Sequence, residues 1–409
     1  MNDLTPVSAA DLAAADGSLS TDPAPLVVAD GAHSQALLRY EQAAKQGEAG
    51  ACYRLGICLL EGRGCVRDPA AALRWFLVAA EQDHADSQVL AGWCYLHGMG
   101  TKVNLDVAFH WYYVAARSGN VPAHFNLGEL YAGGIGVVAD ATAAVRHWGA
   151  AAEAGFAKAQ LNLALAYANG EGVPRDHRQA LYWCELAAQS AYAKAEYNLG
   201  LLYASGPTGL RNPELTEHYL SLAASRDYAP AQYAFGRVLQ KAGGERARQA
   251  IDPLRKAAEQ GSAKAAFRLA MIFEEGECGA VANKPRAAAW LRHAAQLGLA
   301  AAQYEVGRRG LFGKLPGIVP EEAVGWLELA AKQGHARACY GLAVCYIKKN
   351  GVARDLSSAW MWLTLAAQRD FSKATYMLPL LEDLMDTQQL QTARRLLKAR
   401  LEENSPTPP

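Results

Sequence analysis

The residues that could do chemistry are numerous, but their spacing does not bring them together. Ten histidines and eight cysteines could serve proton transfer, nucleophilic attack or metal ligation if they converged. His110, His147, His218 and His293 sit beside aromatic or apolar residues, His84 and His335 stand at turns, and no His-Glu-x-x-His pair exists. Cys52, Cys58, Cys65, Cys94, Cys184, Cys278, Cys339 and Cys345 form no Cys-x-x-Cys pair and keep no regular spacing. A zinc site or a disulfide ladder is therefore not expected, and reduced, buried thiols are. Gly62/Gly64, Gly98/Gly100, Gly134/Gly136 and Gly170/Gly172 resemble phosphate loops only superficially, because they recur as punctuation between helices. Neither a Gly-x-Ser-x-Gly nucleophile motif nor a Walker loop occurs. The expectation is binding without catalysis: no catalytic residue, no metal ligand and no cofactor is assigned. An enzyme site built from the irregular loops at 205–213 and 276–320 is a minor alternative.

Composition narrows the partners. Lys+Arg and Asp+Glu number 40 each, so charge gives no general reason to expect nucleic acid or an anionic membrane. No apolar run approaches the roughly 20 residues that span a bilayer, so no membrane insertion is expected. Residues 1–32 hold no Lys or Arg, and the apolar run at 25–29 is too short for a secretory signal, which points to a cytoplasmic setting. Asp3, Asp11, Asp16, Asp22 and Asp30 make 1–32 an acidic, expectedly disordered tail, and 402–409 is expected to be a second tail.

The elements that must position any site come from a repeat. A small residue recurs at Gly56, Gly92, Gly128, Ala164, Gly200, Gly236, Ala270, Gly307 and Ala343, mostly in steps of about 36 residues. Each unit reads as two helices. In the first, a stripe such as Ala123, Leu127 and Tyr131 repeats at four-residue intervals. Loop glycines follow, and Asp68, Asn104, Asp140, Asp176, Asn212 and Asp355 are placed to cap the second helix. There Ala72-x-x-Trp75 recurs with Trp111, Trp183, Trp290, Trp326 and Trp362, while Trp148 is displaced by one position. The fixed place of these tryptophans reads as core. The fold class is all-α, with about nine helix-turn-helix repeats over 33–371 and capping helices over 372–401. In the last helix, Arg394, Arg395, Lys398 and Arg400 are expected to face water. The loops at 205–213, 241–248, 276–285 and 310–320 depart from the pattern, and bends or longer loops, not a domain break, are expected there.

The recurring A-x-x-x-L-G-x-x-Y, G-x-G-V, D, A-x-x-W and A-A-x-x-G elements, from about Ala36 to Phe371, resemble Sel1-like repeats, relatives of the tetratricopeptide repeat. The resemblance implies a right-handed α-solenoid whose first helices line a concave face. It also implies a scaffold or adaptor that binds proteins, a role common in bacterial signalling, secretion and host interaction. Some secreted relatives join the helices of each repeat by a disulfide, a pattern absent here.

On that face, the position two after the first stripe residue, and the position four later, should point away from the core. Tyr53, Val89, Phe125, Leu161, Tyr197, Tyr233, Phe267, Tyr304 and Tyr340 form one series. Ile57, Trp93, Glu129, Leu165, Leu201, Arg237, Met271, Arg308 and Val344 form the other. The partner-binding candidates are Trp93, Tyr197, Tyr233, Arg237, Lys264, Phe267, Tyr304, Arg308 and Tyr340. Aromatic rings alternating with bases suit an extended acidic peptide of a protein partner. The competing readings are packing aromatics and a solvated charged face. The function expected is a non-catalytic bacterial adaptor; an immunity- or inhibitor-type protein that caps a partner enzyme is the alternative.

Overall fold

The computed structural model describes residues 32–403, and every regular element among them is helical. Most of each expected tail lies outside these residues. Contacts separate the chain into two compact units that divide between Tyr219 and Leu220. In the first, α1 (Ala32–Lys45) precedes the pairs α2 (Ala49–Glu61) with α3 (Pro69–Ala80) and α4 (Ala85–His97) with α5 (Leu105–Arg117). Next come α6 (Val121–Gly133) with α7 (Ala141–Glu153) and α8 (Ala157–Asn169) with α9 (His177–Gln189). α10 (Ala193–Ser205) leads into α11 (Pro213–Ser225), inside which the division falls. No irregular loop marks that division. In a repeat array each unit touches chiefly its neighbours, so contacts can part within a continuous helix.

The second unit contains α12 (Ala229–Ala242), the short α13 (Gly244–Arg248) and α14 (Ile251–Glu259). It continues with α15 (Ala263–Glu275), α16 (Lys284–Gln296), α17 (Ala300–Leu311), α18 (Pro320–Lys332), α19 (Ala336–Lys348) and α20 (Leu356–Ala367). It ends with α21 (Ser372–Glu382) and α22 (Thr387–Glu403), which runs into the stretch expected to be tail.

The expected caps form. Asp68 accepts from Ala71 N at 2.9 Å, Asn104 from Val107 N at 3.2 Å, and Asp355 from Ser357 N at 2.9 Å. Each satisfies a backbone donor that the helix itself leaves unpaired. The loop glycine before such a cap has two constraints. Gly172 has φ +71°, and a Cβ there would collide with the Ala141 carbonyl at the start of α7 in the preceding repeat. The loop thus packs on the previous repeat through a residue with no side chain.

The core corrects the expected place of the tryptophans. Trp75, Trp111, Trp183, Trp290 and Trp326 are only half-buried, whereas Trp362 is 5% exposed and lies in the core as expected. The buried slot is one residue later, where Phe76, Tyr112 and Trp148 are 0%, 0% and 6% exposed. Each ring lies against the small residue of the first helix. A Cβ on Gly92 would approach Tyr112 to 2.9 Å, and one on Gly56 or Gly128 would overlap Phe76 or Trp148. Leucine fills the slot in the second unit: a Cβ on Gly236 would approach Leu254 to 2.7 Å, and one on Gly307 would approach Leu327 to 2.8 Å. Ala164 replaces glycine and shares a core cluster with the much smaller Cys184, whereas Ala270 and Ala343 share theirs with Leu291 and Leu363. Trp148 is displaced in sequence because it occupies the slot itself. Close packing demands glycine opposite the aromatic slots, while leucine stands with glycine or alanine.

A second repeating contact joins consecutive repeats. Gln88 Nε2 donates to Ala80 O at 3.1 Å, Gln160 to Ala152 O at 3.1 Å, and Gln303 to Ala295 O at 3.2 Å. All three amides are nearly buried, and each gives a second donor to a carbonyl near the end of the preceding second helix that also accepts from the following turn. Cys52 and Cys339 fill the same place with weaker contacts to Ala44 O and Ala331 O. All eight cysteines are free; Cys58, Cys65 and Cys278 are half-buried where full burial was expected.

The C-terminal helices close the second unit on α20. Ser357 Oγ donates to Gln389 O at 2.9 Å, and Trp360 Nε1 donates to Glu382 Oε1 at 2.6 Å. Asp386 and Gln389 exchange side-chain and backbone bonds of 2.8 and 3.1 Å, a capping box for α22. Arg400, expected to face water, instead lies 5.7 Å above the Trp362 ring and is 16% exposed.

Candidate binding surface

First-helix residues of the second unit form a wall of rings and cations. On α12, Arg237 Nη1 donates to Tyr233 Oη at 3.3 Å, while Arg237 Nε is buried and unpaired. Arg237, Gln240, Lys241 and Arg268 border a depression of about 410 Å³, with Glu277 opposite them. Arg268 Nε donates to Gln240 Oε1 at 2.7 Å, and Gln240 Nε2 to Glu277 Oε2 at 2.7 Å, so these polar groups support one another.

A second depression, of about 380 Å³, is lined by Phe267 on α15, Tyr304 and Glu305 on α17, His335 and Arg337 beside α19, and Phe371. Three consecutive repeats therefore contribute to one surface. Tyr304 stacks on His335 at 4.8 Å, and Tyr340 meets Phe371 at 5.2 Å. The ring of one first helix thus rests on the turn residue that opens the next repeat. Burial first, then the Arg337 guanidinium, holds His335 below the ordinary imidazole range, favouring its neutral form. Arg337 and Lys264 are exposed.

Arg308 is not the free cation the spacing suggested. Its Nη2 and Nε donate to Glu305 at 2.7 and 3.3 Å. Arg309 joins them, bonding Glu305 at 3.1 Å and both oxygens of Glu274 at 2.8 Å. Burial opposes the charge on Glu305, but Arg308 and Arg309 hold its carboxyl below the usual range. Sequence spacing located Arg308 but not the i−3 carboxylate that neutralises it.

The first unit differs at the same positions. Tyr53, Val89, Phe125 and Leu161, expected to point away from the core, are 6%, 0%, 3% and 1% exposed. Trp93, expected as an exposed anchor, is half-buried and packs on His97 at 4.7 Å. Tyr197 is half-buried, and burial raises its hydroxyl pKa.

Glu129, expected on the open face, is 2% exposed. Its Oε1 accepts from Trp148 Nε1 at 3.1 Å and from Asn162 Nδ2 at 2.6 Å, joining α6 to α7 and to the next repeat. Burial pushes its carboxyl up to about 7 against these hydrogen bonds and the pull of Lys194 and Lys158. Nearby, His124 and His147 bring their Nδ1 atoms to 3.0 Å, and His147 stacks on Tyr131 at 5.6 Å. No motif announced this pair, because its members lie on two helices and meet only after folding. No group of three His, Cys, Asp or Glu side chains among the described residues is arranged to hold a metal ion. None of their helices is long and apolar enough to cross a membrane.

Comparison with known proteins adds the family. The Sel1 repeat pattern matches residues 49–84, 85–120, 121–156, 157–192, 193–228, 263–299, 300–335 and 336–371. A stretch of 123 residues is 34% identical to chitin synthase regulatory factor 3 of Schizosaccharomyces pombe, covering 29% of this chain but only 13% of that protein. The crystal structure of c5321, a protective antigen present in uropathogenic Escherichia coli strains displaying an SLR fold, is 27% identical with a TM-score of 0.57. That similarity covers 91% of this chain and 88% of the other. A Sel1 repeat protein from Oxalobacter formigenes is 26% identical with a TM-score of 0.53, over 90% of this chain and 99% of its own. The slot, the loop glycines and the capped helix pairs recur through most of the matched stretches, and the chain belongs to the Sel1 repeat family.

Proposed function

We propose that this protein is a non-catalytic scaffold whose second unit binds an extended acidic segment of a partner protein. The observation that carries this reading is the shared wall of Phe267, Tyr304, His335, Arg337 and Phe371, contributed by successive repeats. The rings offer apolar area that is already half-desolvated, and the exposed Arg337 and Lys264 offer charge to carboxylates. Because the helices hold these groups in place beforehand, little side-chain entropy remains to be lost on binding. The regulatory role named for the fission yeast relative agrees with a protein that acts through a partner, although the similarity spans a small part of that relative.

The test is titration of a fluorescent peptide that alternates Glu with Phe or Leu. Arg337→Glu together with Lys264→Glu should weaken binding by about a hundredfold, tenfold for each reversed charge, with the circular dichroism spectrum unchanged. Undiminished binding by that variant would remove the surface from the mechanism.

A further inference from the structure

We propose that the irregular loop edge of the second unit is a binding site for a small organic phosphate, separate from the peptide surface. The loop from Phe312 to Val319 departs from the Gly-x-Gly-Val pattern and is tied to α16, where Arg292 Nη2 donates to the Pro316 carbonyl. This arrangement encloses a cavity of about 380 Å³ at the end of α15, the start of α16 and the end of α17. The volume lies in the lower part of the range typical of small-molecule sites, about 300–1,000 Å³.

The charge on its wall is unbalanced. Glu274, Lys284, Arg292, Arg309 and Lys314 line the cavity. Glu274 is already spent on Arg309, with two bonds of 2.8 Å. Arg309 uses its remaining edge on Glu305 at 3.1 Å. That leaves Lys284, Arg292 and Lys314 with no lining carboxylate to answer them. Lys284 and Lys314 are exposed, and neither joins an ion pair among the described residues.

Three cations call for more than one negative charge. A carboxylate would leave two of them uncompensated, whereas a phosphate carries nearly two charges and three acceptor oxygens. The rest of the wall is apolar: Pro285, Ala287, Leu315 and Pro316. Leu315 is 3% and Ala287 4% exposed, so this floor is fixed by the core. Inorganic phosphate would leave the floor unmatched, and an ester with a compact apolar body would cover it.

Calorimetric titration of the full-length protein with phenyl phosphate and with inorganic phosphate, at constant ionic strength, tests the site. Phenyl phosphate should bind saturably and about tenfold tighter than inorganic phosphate. Lys284→Glu and Lys314→Glu should each weaken it by about tenfold. Lys398→Glu, an equally large charge change on α22, should leave binding intact. Absence of saturable binding by either probe, or equal loss in the Lys398 variant, would overturn the site. Equal affinity for the two probes would overturn the organic ester as its ligand.

Discussion

Tyr53 and Phe125 in the first unit are 6% and 3% exposed, while Tyr233, Phe267, Tyr304 and Tyr340 occupy the same repeat position in the second and remain half-buried. The residue one turn later accounts for part of the difference; Tyr197, in the first unit and followed by Leu201, is half-buried too. In the first unit that place holds Ile57, Trp93 and the hydrogen-bonded Glu129, and Tyr53, Val89, Phe125 and Ile57 join one apolar cluster. In the second it holds Arg237 and Arg308, whose charged heads must reach water or a carboxylate and do not seal Tyr233 and Tyr304, while Phe267 and Tyr340 precede Met271 and Val344 and are half-buried all the same. One backbone plan thus lets the same repeat position close into core at Tyr53 and Phe125 and stay half-open at Tyr233, Phe267, Tyr304 and Tyr340.

The largest effect should come from the slot. Trp148→Ala empties it and also removes a donor to Glu129, so it should cost about 3–5 kcal/mol in urea denaturation. Trp326→Ala, at the half-buried position of the second unit, should cost about 1.5 kcal/mol or less. Similar losses for both would break the distinction between slot and flank.

Next comes Glu129. Its carboxyl titrates at about 7 in the folded chain, above the ordinary carboxylate range, so the folded state holds a proton that the unfolded chain releases. Stability therefore declines as pH rises from about 4.5 to 7, by about 3 kcal/mol in all. Glu129→Gln keeps an acceptor for Trp148 and Asn162 but cannot ionise. It should remove that decline when denaturation at pH 5 and pH 8 is compared. An unchanged pH slope would show that Glu129 is less desolvated than its burial indicates.

The glutamine hooks should distinguish the units least. Gln88→Leu in the first and Gln303→Leu in the second should each cost about 1 kcal/mol in thermal or chemical denaturation, because each removes one hydrogen bond from a carbonyl that keeps only its bond from the turn, Asp83 N on Ala80 or Gly298 N on Ala295. A marked inequality would mean that the two units are joined internally by different contacts. Smallest is the histidine pair. Burial, then His124 and Arg146, lowers His147 to about 4, so the folded chain keeps it neutral while the unfolded chain protonates below about 6.5. Stability should fall as pH drops from 6.5 towards 4, and His147→Asn should flatten that limb; solvent exposure of the ring keeps the effect small.

Local signals made the helix pairs legible. Asp68 or Asp355 before a helix, and glycine where φ must be positive, act through neighbours in the chain, and the period shows where they repeat. The box that Asp386 and Gln389 form before α22 is local in the same way. The proposed binding face was legible only in part. Tyr233, Phe267, Tyr304 and Tyr340 were placed on it by spacing, but spacing treated Tyr53 and Phe125 alike, and it left His335, Phe371 and the Arg309–Glu274 pair unconnected.

What the sequence determined by itself was the unit: two capped helices and a glycine loop, set by dihedral preference and short-range hydrogen bonding, with a small residue recurring on the first helix. Only the tertiary structure decided which large residue fills the slot, which glutamine meets which carbonyl, and which of several equivalent aromatics stays open. Those outcomes depend on volume and charge contributed by residues on the partner helix or the neighbouring repeat, and desolvation is settled only where such side chains meet.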